Sequence, residues 1–279
     1  MVKKINIKNK NYPDLLRKIS DPPKELKYKG NWDDDLFENC LAVVGTRRIT
    51  KQGKQVVKKI VEEVAMNGIT IVSGFMFGVD AEAHRATVRV NERTIAVMPC
   101  GINIVHPAHQ EDLYKEILKK RGLIISEMPD DQQALKWTYP RRNRIVAGLS
   151  RVVLIVEGTK RSGTLITARF AKKYKRILTA TPGSIMSDKS YAPNELIKHG
   201  AHVVTEAKDI LKLFNIKNKN SKEINKKESK ILSLIKSEPL TIDEISLKTK
   251  KDIKDLNVVL SELEIDGKIK EESGKYYVN

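Results

Sequence analysis

The sequence predicts an α/β protein: a doubly wound, mostly parallel sheet, followed by a small C-terminal winged-helix domain. Three observations carry that expectation. Short apolar runs alternate with helical periodicities from residue 41 to about residue 204. Those runs are apolar at every position rather than every second one, as in strands buried on both faces. Right-handed crossovers between such strands wind helices onto both sides of one sheet. Residues 229–279 break the pattern, with three short helical stretches and a terminal hairpin.

Taken in order, residues 1–40 open with lysine and asparagine. Tyr12-Pro13-Asp14-Leu15-Leu16 and Ile19 fit a short helix that stops before Asp21-Pro22-Pro23, where the double proline enforces extended chain. This part reads as a covering segment. The sheet domain is expected over 41–214. Leu41-Ala42-Val43-Val44 is its first strand, closed by Gly45. The helix after it carries Val56, Val57, Ile60, Val61 and Val64 on one face and stops at Asn67-Gly68. Ile69-Thr70-Ile71-Val72 follows, ending at Ser73-Gly74, and a helix from about Asp80 leads to Thr94-Ile95-Ala96-Val97-Met98. Helix 109–120 precedes Leu123-Ile124-Ile125-Ser126. A basic loop and helix then lead to Val152-Val153-Leu154-Ile155-Val156, and helix 164–173 to Ile177-Leu178-Thr179-Ala180. Helix 193–199 and strand 201–204 close the series. Residues 215–228 form a lysine- and asparagine-rich linker. In the tail, Thr241 caps a helix with Glu244 at capping-box distance. A third helix spans about 252–265, and a hairpin turns at Ser273-Gly274.

The totals narrow the function. The 279 residues carry a net charge of +17 and a pI near 9.7, which points to a polyanionic partner, nucleic acid before membrane. Residues 231–279 hold eight lysines and ten acids, a net of −2, which leaves +19 on the rest. No run of eighteen apolar residues exists, and the lysine-rich N-terminus lacks an apolar signal core. Two cysteines, Cys40 and Cys100, make neither a disulfide framework nor a metal knuckle. The expected setting is cytoplasmic, without cofactor, metal or membrane.

One stretch organises the reading: Trp137-Thr138-Tyr139-Pro140-Arg141-Arg142-Asn143-Arg144. It reads as a basic, aromatic-flanked loop feeding a helix start, with Pro140 in the first turn. Arginine forks grip phosphate and tyrosine stacks on bases. The competing use is pairing of these arginines with acids from elsewhere in the fold. Each strand also ends in a loop of small residues: Gly45-Thr46-Arg47-Arg48, Ser73-Gly74 through Gly78, Pro99-Cys100-Gly101, Lys160 with Ser162-Gly163-Thr164, and Pro182-Gly183. Such loops let an anion approach backbone N–H groups. Nucleotide fingerprints are missing. There is no G-x-x-x-x-G-K-[ST], and the first turn lacks G-x-G-x-x-G. Asp80 and His84, four apart, and His106 and His109 read as capping and supporting polar groups, with Asp80 in place for an N-cap. No serine or cysteine has a base partner in sequence, so no catalytic residue is expected.

The loops together resemble the DprA/Smf family of DNA-processing proteins. The matching pieces are Val43-Val44-Gly45-Thr46-Arg47, Ser73-Gly74-x-x-x-Gly78-Val79-Asp80 with Ala83-His84, and Ser126-Glu127-Met128-Pro129. They continue with Pro140-x-Arg142-Asn143-Arg144-Ile145-Val146-Ala147-Gly148-Leu149-Ser150, Ser162-Gly163-Thr164-Leu165-Ile166-Thr167-Ala168 and Asn194-x-Leu196-Ile197-x-x-Gly200-Ala201. The resemblance covers about residues 10–205. It implies an extended Rossmann-like domain that binds single-stranded DNA, dimerises and loads a RecA-type recombinase during natural transformation, a mediator rather than an enzyme. By motif, Arg47 would grip a phosphate, Lys136 and Tyr139 would contact the strand, and Arg144, Ser162, Gly163 and Thr164 would line the same pocket. Arg48, Arg141, Arg142 and Lys160 add charge around it. Tyr139 stands where the family usually has phenylalanine, His106-Pro107 replaces Tyr-Pro, and Pro193 replaces a glycine. The alternative is a nucleotide sensor or nucleotide-processing enzyme similar to the Lonely Guy superfamily. Its catalytic glutamate has no counterpart in Ser162-Gly163-Thr164-Leu165-Ile166-Thr167. The acidic tail is expected to contact protein, or to pack on the basic part as a flap, rather than to read DNA.

Overall fold

A computed structural model of the chain describes residues 2–216, 231–265 and 267–278. Contacts divide it into two compact units, Met1–Ile216 and Lys217–Asn279.

The first unit is built on one nine-stranded sheet. Its strands are β1 (Lys3–Asn6), β2 (Glu25–Gly30), β3 (Cys40–Val44), β4 (Thr70–Ser73), β5 (Thr94–Val97), β6 (Leu123–Ser126), β7 (Val152–Ile155), β8 (Ile177–Ala180) and β9 (His202–Val203), in the order β1-β2-β6-β5-β4-β3-β7-β8-β9. The seven strands from β3 to β9 run parallel. Alternate residues of one strand feed opposite cores. Ala42, Val44, Val153 and Ile155 pack on one face, while Leu41, Val43, Val152 and Leu154 pack on the other. That two-sided burial is why the strands read as unbroken apolar runs.

The helices are α1 (Asp14–Arg17), α2 (Lys51–Met66), α3 (Val79–Arg89), α4 (Glu111–Lys119), α5 (Thr138–Leu149), α6 (Thr164–Lys173), α7 (Tyr191–Lys198) and α8 (Ala207–Leu213). Thr50 caps α2, its hydroxyl accepting from Gly53 N at 2.8 Å. Helix α8 carries no strong apolar run in sequence. Glu206 and Asp209 form its capping box, and Ile210 and Leu211 anchor it in the core.

The N-terminal segment corrects the expectation of a mere cover. β1 pairs antiparallel with β2, and β2 pairs antiparallel with β6, so the first forty residues lengthen the sheet itself. The strands escaped notice because only Ile5 and Leu26 are buried in them, the rest being exposed or half-buried and mostly polar. Asp80 is a second correction. The residue before α3 is Gly78, at φ 79°, where a Cβ would stand 2.1 Å from the Thr46 carbonyl oxygen. Asp80 lies one residue into α3, and its carboxylate accepts from Met76 N at 3.4 Å.

The strand order reverses at β3. The chain moves to β4, β5 and β6 on one side, then returns to place β7 on the other. Between the carboxyl ends of β3 and β7 lies the crevice in which open α/β sheets bind ligands.

The second unit is a winged helix. Helix Ile242–Thr249 carries the Thr241–Glu244 capping box, helix Ile253–Ile265 follows, and strands Ile269–Glu272 and Lys275–Val278 form the wing. Ser273 and Gly274, at φ 53° and 77°, make its tight turn. Ile235, Leu240, Ile245, Leu256, Leu260 and Ile269 form its core. The expected linker falls almost wholly outside the described residues. Among the described residues, no helix is long and apolar enough to cross a membrane, and no cluster of His, Cys, Asp or Glu is placed to hold a metal ion.

Candidate nucleic-acid interface

A polar cleft of about 310 Å³ opens at the reversal point, lined by the loops after β3, β4 and β7 and by the first turns of α5 and α6. Its first wall is Gly45-Thr46-Arg47. Glu157, from the loop after β7, holds that wall in place. Its backbone oxygen accepts from Thr46 N at 2.7 Å, and its carboxylate accepts from Thr50 N at 3.0 Å and from the Thr50 hydroxyl. Gly45 has no room for a side chain, since a Cβ would meet Val79 at 2.4 Å.

Arg142 makes the floor. It is only 3% exposed, and its guanidinium donates to the carbonyl oxygens of Gly74 and Val97, where β4 and β5 end. Gly74 is required by that clamp, because a Cβ there would come within 2.4 Å of the guanidinium. Burial pulls the Arg142 pKa down to about 10, opposed by the facing Asp80. Burial likewise pushes the Asp80 carboxyl up to about 6, while Arg142, Met76 N–H and Ser73 pull it back. Both groups are therefore charged at neutral pH, a compensated pair beneath the cleft. Deeper in, the His84 ring shares a 2.7 Å hydrogen bond with the Thr94 hydroxyl, and burial lowers its pKa to about 3.

The far wall is Ser162-Gly163-Thr164 at the start of α6. Ser162 Oγ lies 2.7 Å from Thr164 Oγ1 and accepts from Thr164 N at 3.2 Å. Gly163 is exposed, and nothing stands within 4 Å of where its Cβ would be. The mouth is formed by Arg47, whose guanidinium lies 4.8 Å from the centre of the Tyr139 ring. Tyr139 is fixed at its other end, with its hydroxyl 2.8 Å from His106 Nε2. Burial and the charges of Arg47 and Arg142 hold His106 below the usual imidazole range.

Of the residues singled out in sequence, Gly45, Thr46, Arg47, Gly74, Tyr139, Arg142, Ser162, Gly163 and Thr164 line this cleft. Others do not. Arg144 is 6% exposed and ion-paired with Glu127, with Asp21 at 3.6 Å, so it grips no outside ligand. Arg141 also pairs with Glu127, at 3.1 Å. Arg142 reaches the cleft only as its buried floor. Ser73 is fully buried and donates to Val43 O at 2.6 Å, and Gly78 is needed for close packing on Thr46, so neither cradles a phosphate. Arg48, Lys136 and Lys160 are exposed on the flanking loops.

The cause is helical phase. α5 starts at Thr138, so all three arginines of the motif lie inside it. Tyr139, Arg142, Asn143 and Val146 follow the i, i+3, i+4, i+7 pattern and line the cleft, whereas Arg141 and Arg144 turn toward Glu127. The same spacing marks Asn143, a lining residue that sequence reasoning did not select. Glu157 was given no role in sequence, because its partners lie more than a hundred positions away.

Comparison with known proteins agrees with this architecture. The chain is 41% identical over 200 residues to protein Smf of Escherichia coli, covering 72% of this chain and about half, 53%, of that protein. The crystal structure of DNA processing protein A from Streptococcus pneumoniae superimposes with a TM-score of 0.71 at 38% identity, over 75% of this chain and 73% of that one. DNA processing protein A from Helicobacter pylori, whose structure describes a single-stranded DNA binding mode, gives a TM-score of 0.68 at 30% identity, over 78% and 98%. The family model for DNA recombination-mediator protein A matches residues 3–215, and that for the DprA winged helix domain matches residues 217–275. With one model over the sheet and the other over the tail, the chain belongs to the DNA recombination-mediator protein A family, that of the DprA and Smf proteins.

Proposed function

We propose that this protein binds single-stranded DNA without sequence preference, through the cleft between β3 and β7, and acts as a recombination mediator rather than an enzyme. The observation that carries the reading is the pairing of Arg47 and Tyr139 at the mouth of a small polar cleft whose opposite wall is the open Gly163 turn. A flexible strand offers that cleft one nucleotide unit at a time, its phosphate meeting Arg47 and the Ser162–Thr164 turn, its base meeting the aromatic mouth. Duplex DNA keeps its bases stacked inside the helix and cannot insert one without unpairing it. The single-stranded DNA binding of the Helicobacter pylori relative supports the same use of the matching sheet domain. By resemblance to the family, the protein works in the cytoplasm as a homodimer and delivers the strand to a RecA-type recombinase.

Arg47→Ala is the direct test, in a gel shift comparing single-stranded with double-stranded DNA across a salt series. The expected result is preference for single strands, weakened by the substitution, with the salt slope reduced by about 0.7 for each phosphate that is no longer neutralised. Wild-type affinity and slope in Arg47→Ala would place the site elsewhere. A second gel shift with RecA present tests the mediator role: faster recombinase loading on the bound strand is expected, and no effect on loading would remove it.

A further inference from the structure

We propose that Trp137 is a second base-stacking platform, outside the cleft, which takes a nucleobase of the strand as it leaves Tyr139. The inference rests on the single-stranded DNA reading above and extends it to a residue which that reading does not use.

Trp137 directly precedes α5 and is 50% exposed, with Leu135 nearby at 47%. A tryptophan ring left half in water forgoes a large burial gain, and single exposed rings are common enough to need no explanation on that ground alone. This ring, however, is held. Thr138 N and its hydroxyl both donate to Leu135 O at 2.9 Å, and Leu135 N donates back to the Thr138 hydroxyl at 3.1 Å, which fixes the backbone on either side. Arg141, one turn on, places its guanidinium 5.9 Å from the ring centre and is itself anchored on both Glu127 carboxylate oxygens, at 3.1 and 3.3 Å. A ring carried on a fixed backbone beside an anchored guanidinium has less conformational freedom to lose when a base stacks on it. Lys136 is exposed next to it, a cation for the connecting phosphate.

Position favours the same ligand. Trp137 and Tyr139 are two residues apart, so their Cα atoms lie within about 7 Å. Tyr139 turns into the cleft, whereas Trp137 shares the other face of the helix with Arg141. A strand with one base at Tyr139 therefore reaches Trp137 with a neighbouring base, over Lys136. The other tryptophan, Trp32, serves as a built-in contrast. It packs between Tyr28 and Phe37, at 4.6 and 4.7 Å between ring centres, and its indole N–H donates to Asn11 O at 3.3 Å.

The test uses the full chain with Trp32→Phe, so that Trp137 alone reports by fluorescence, titrated with a mononucleotide and with a long oligothymidylate. The long strand is expected to quench the emission and the mononucleotide to leave it unchanged. Trp137→Ala is expected to weaken binding of the long strand by about ten-fold, and Trp137→Phe to restore most of it. Unquenched emission, together with wild-type affinity in Trp137→Ala, overturns the platform. If Arg47→Ala still weakens binding in that case, the cleft reading stands without it. If neither substitution matters, or no oligonucleotide binds, both readings fall.

Discussion

Replacing Glu127 by glutamine separates the structural arginines from the DNA-facing ones. The Glu127 carboxylate holds two guanidiniums, the exposed one of Arg141 and the buried one of Arg144. Glutamine keeps the shape and removes the charge. Arg141, half in water, loses little, since an exposed pair is worth about 0–1 kcal/mol. Arg144 is 7% exposed at its side chain, its Nη1 already lacks a partner, and only Asp21 at 3.6 Å would remain to balance it. Stranding one member of a buried pair costs about 3–5 kcal/mol. For a unit the size of Met1–Ile216, each kcal/mol shifts Tm by about 2–4 °C, so a fall of about 6–20 °C is expected. Arg144→Met should cost less, because Glu127 keeps Arg141. The assay is thermal and urea unfolding of both variants, with oligonucleotide affinity measured on the folded protein at low temperature. Unchanged unfolding together with a loss of affinity as large as that of Arg47→Ala would mean that Arg144 faces DNA, and the helical-phase argument would fail.

Two further outcomes follow from the same geometry. His84 is buried neutral with its pKa near 3 against about 6.5 unfolded, so the unfolded chain binds the extra proton in between, and stability falls as pH drops from about 6.5 toward 3, by about 1.4 kcal/mol per unit. Asp80 runs the other way: its carboxyl, raised to about 6, takes a proton in the folded state first, so acidification from pH 6 to about 4 returns part of that loss. In His84→Gln, the urea midpoint should therefore fall less between pH 7 and 4.5 than in wild type; equal falls would refute the assignment. Truncation after Ile216 should leave single-stranded DNA affinity nearly intact. Residues 231–279 are net acidic, and helix Ile253–Ile265 presents Asp255 beside exposed Val258, a surface that repels phosphate. Loss of most affinity on truncation would show that the tail grips the strand.

The sheet was legible because burial on both faces leaves one unambiguous pattern, and the strands from Leu41 to Ala180 lie where their apolar runs place them. What stayed hidden was set by partners remote in sequence. β1 and β2 are strands only because β6 offers them a free edge. Arg144 looked like a ligand-gripping residue because the acid that neutralises it sits seventeen positions away. The glycines after β3 and β4 read as phosphate cradles, yet Gly74 and Gly78 are small to admit Arg142 and the Thr46 carbonyl. In each case the residue type was informative and its direction was not. Direction depends on what packs against each face of a helix: Glu127 lies on the Arg141 and Arg144 side of α5, and the cleft on the Tyr139, Arg142 and Asn143 side.

That packing also decides where the attraction for phosphate comes from. With Arg141 and Arg144 committed to Glu127 and Arg142 facing Asp80 beneath the floor, the arginine-rich motif adds almost no net charge to the cleft itself. The cations that the loops around the cleft present are Arg47 and Arg48 after β3, Lys160 and Arg161 after β7, and Lys136 before α5. Of these five, Arg47 lines the cleft at its mouth, and the other four lie outside its lining. Electrostatics thus recruits a strand along the rim, while insertion of a base depends on the neutral surface of Tyr139. If all five rim cations meet phosphates, log K for a long single strand falls by about 3.5 per decade of salt, whereas a mononucleotide, too short to span the rim, shows a slope near 0.7. Equal slopes for the two ligands would mean that charge acts inside the cleft after all, and the division between a recruiting rim and a neutral pocket would have to be abandoned.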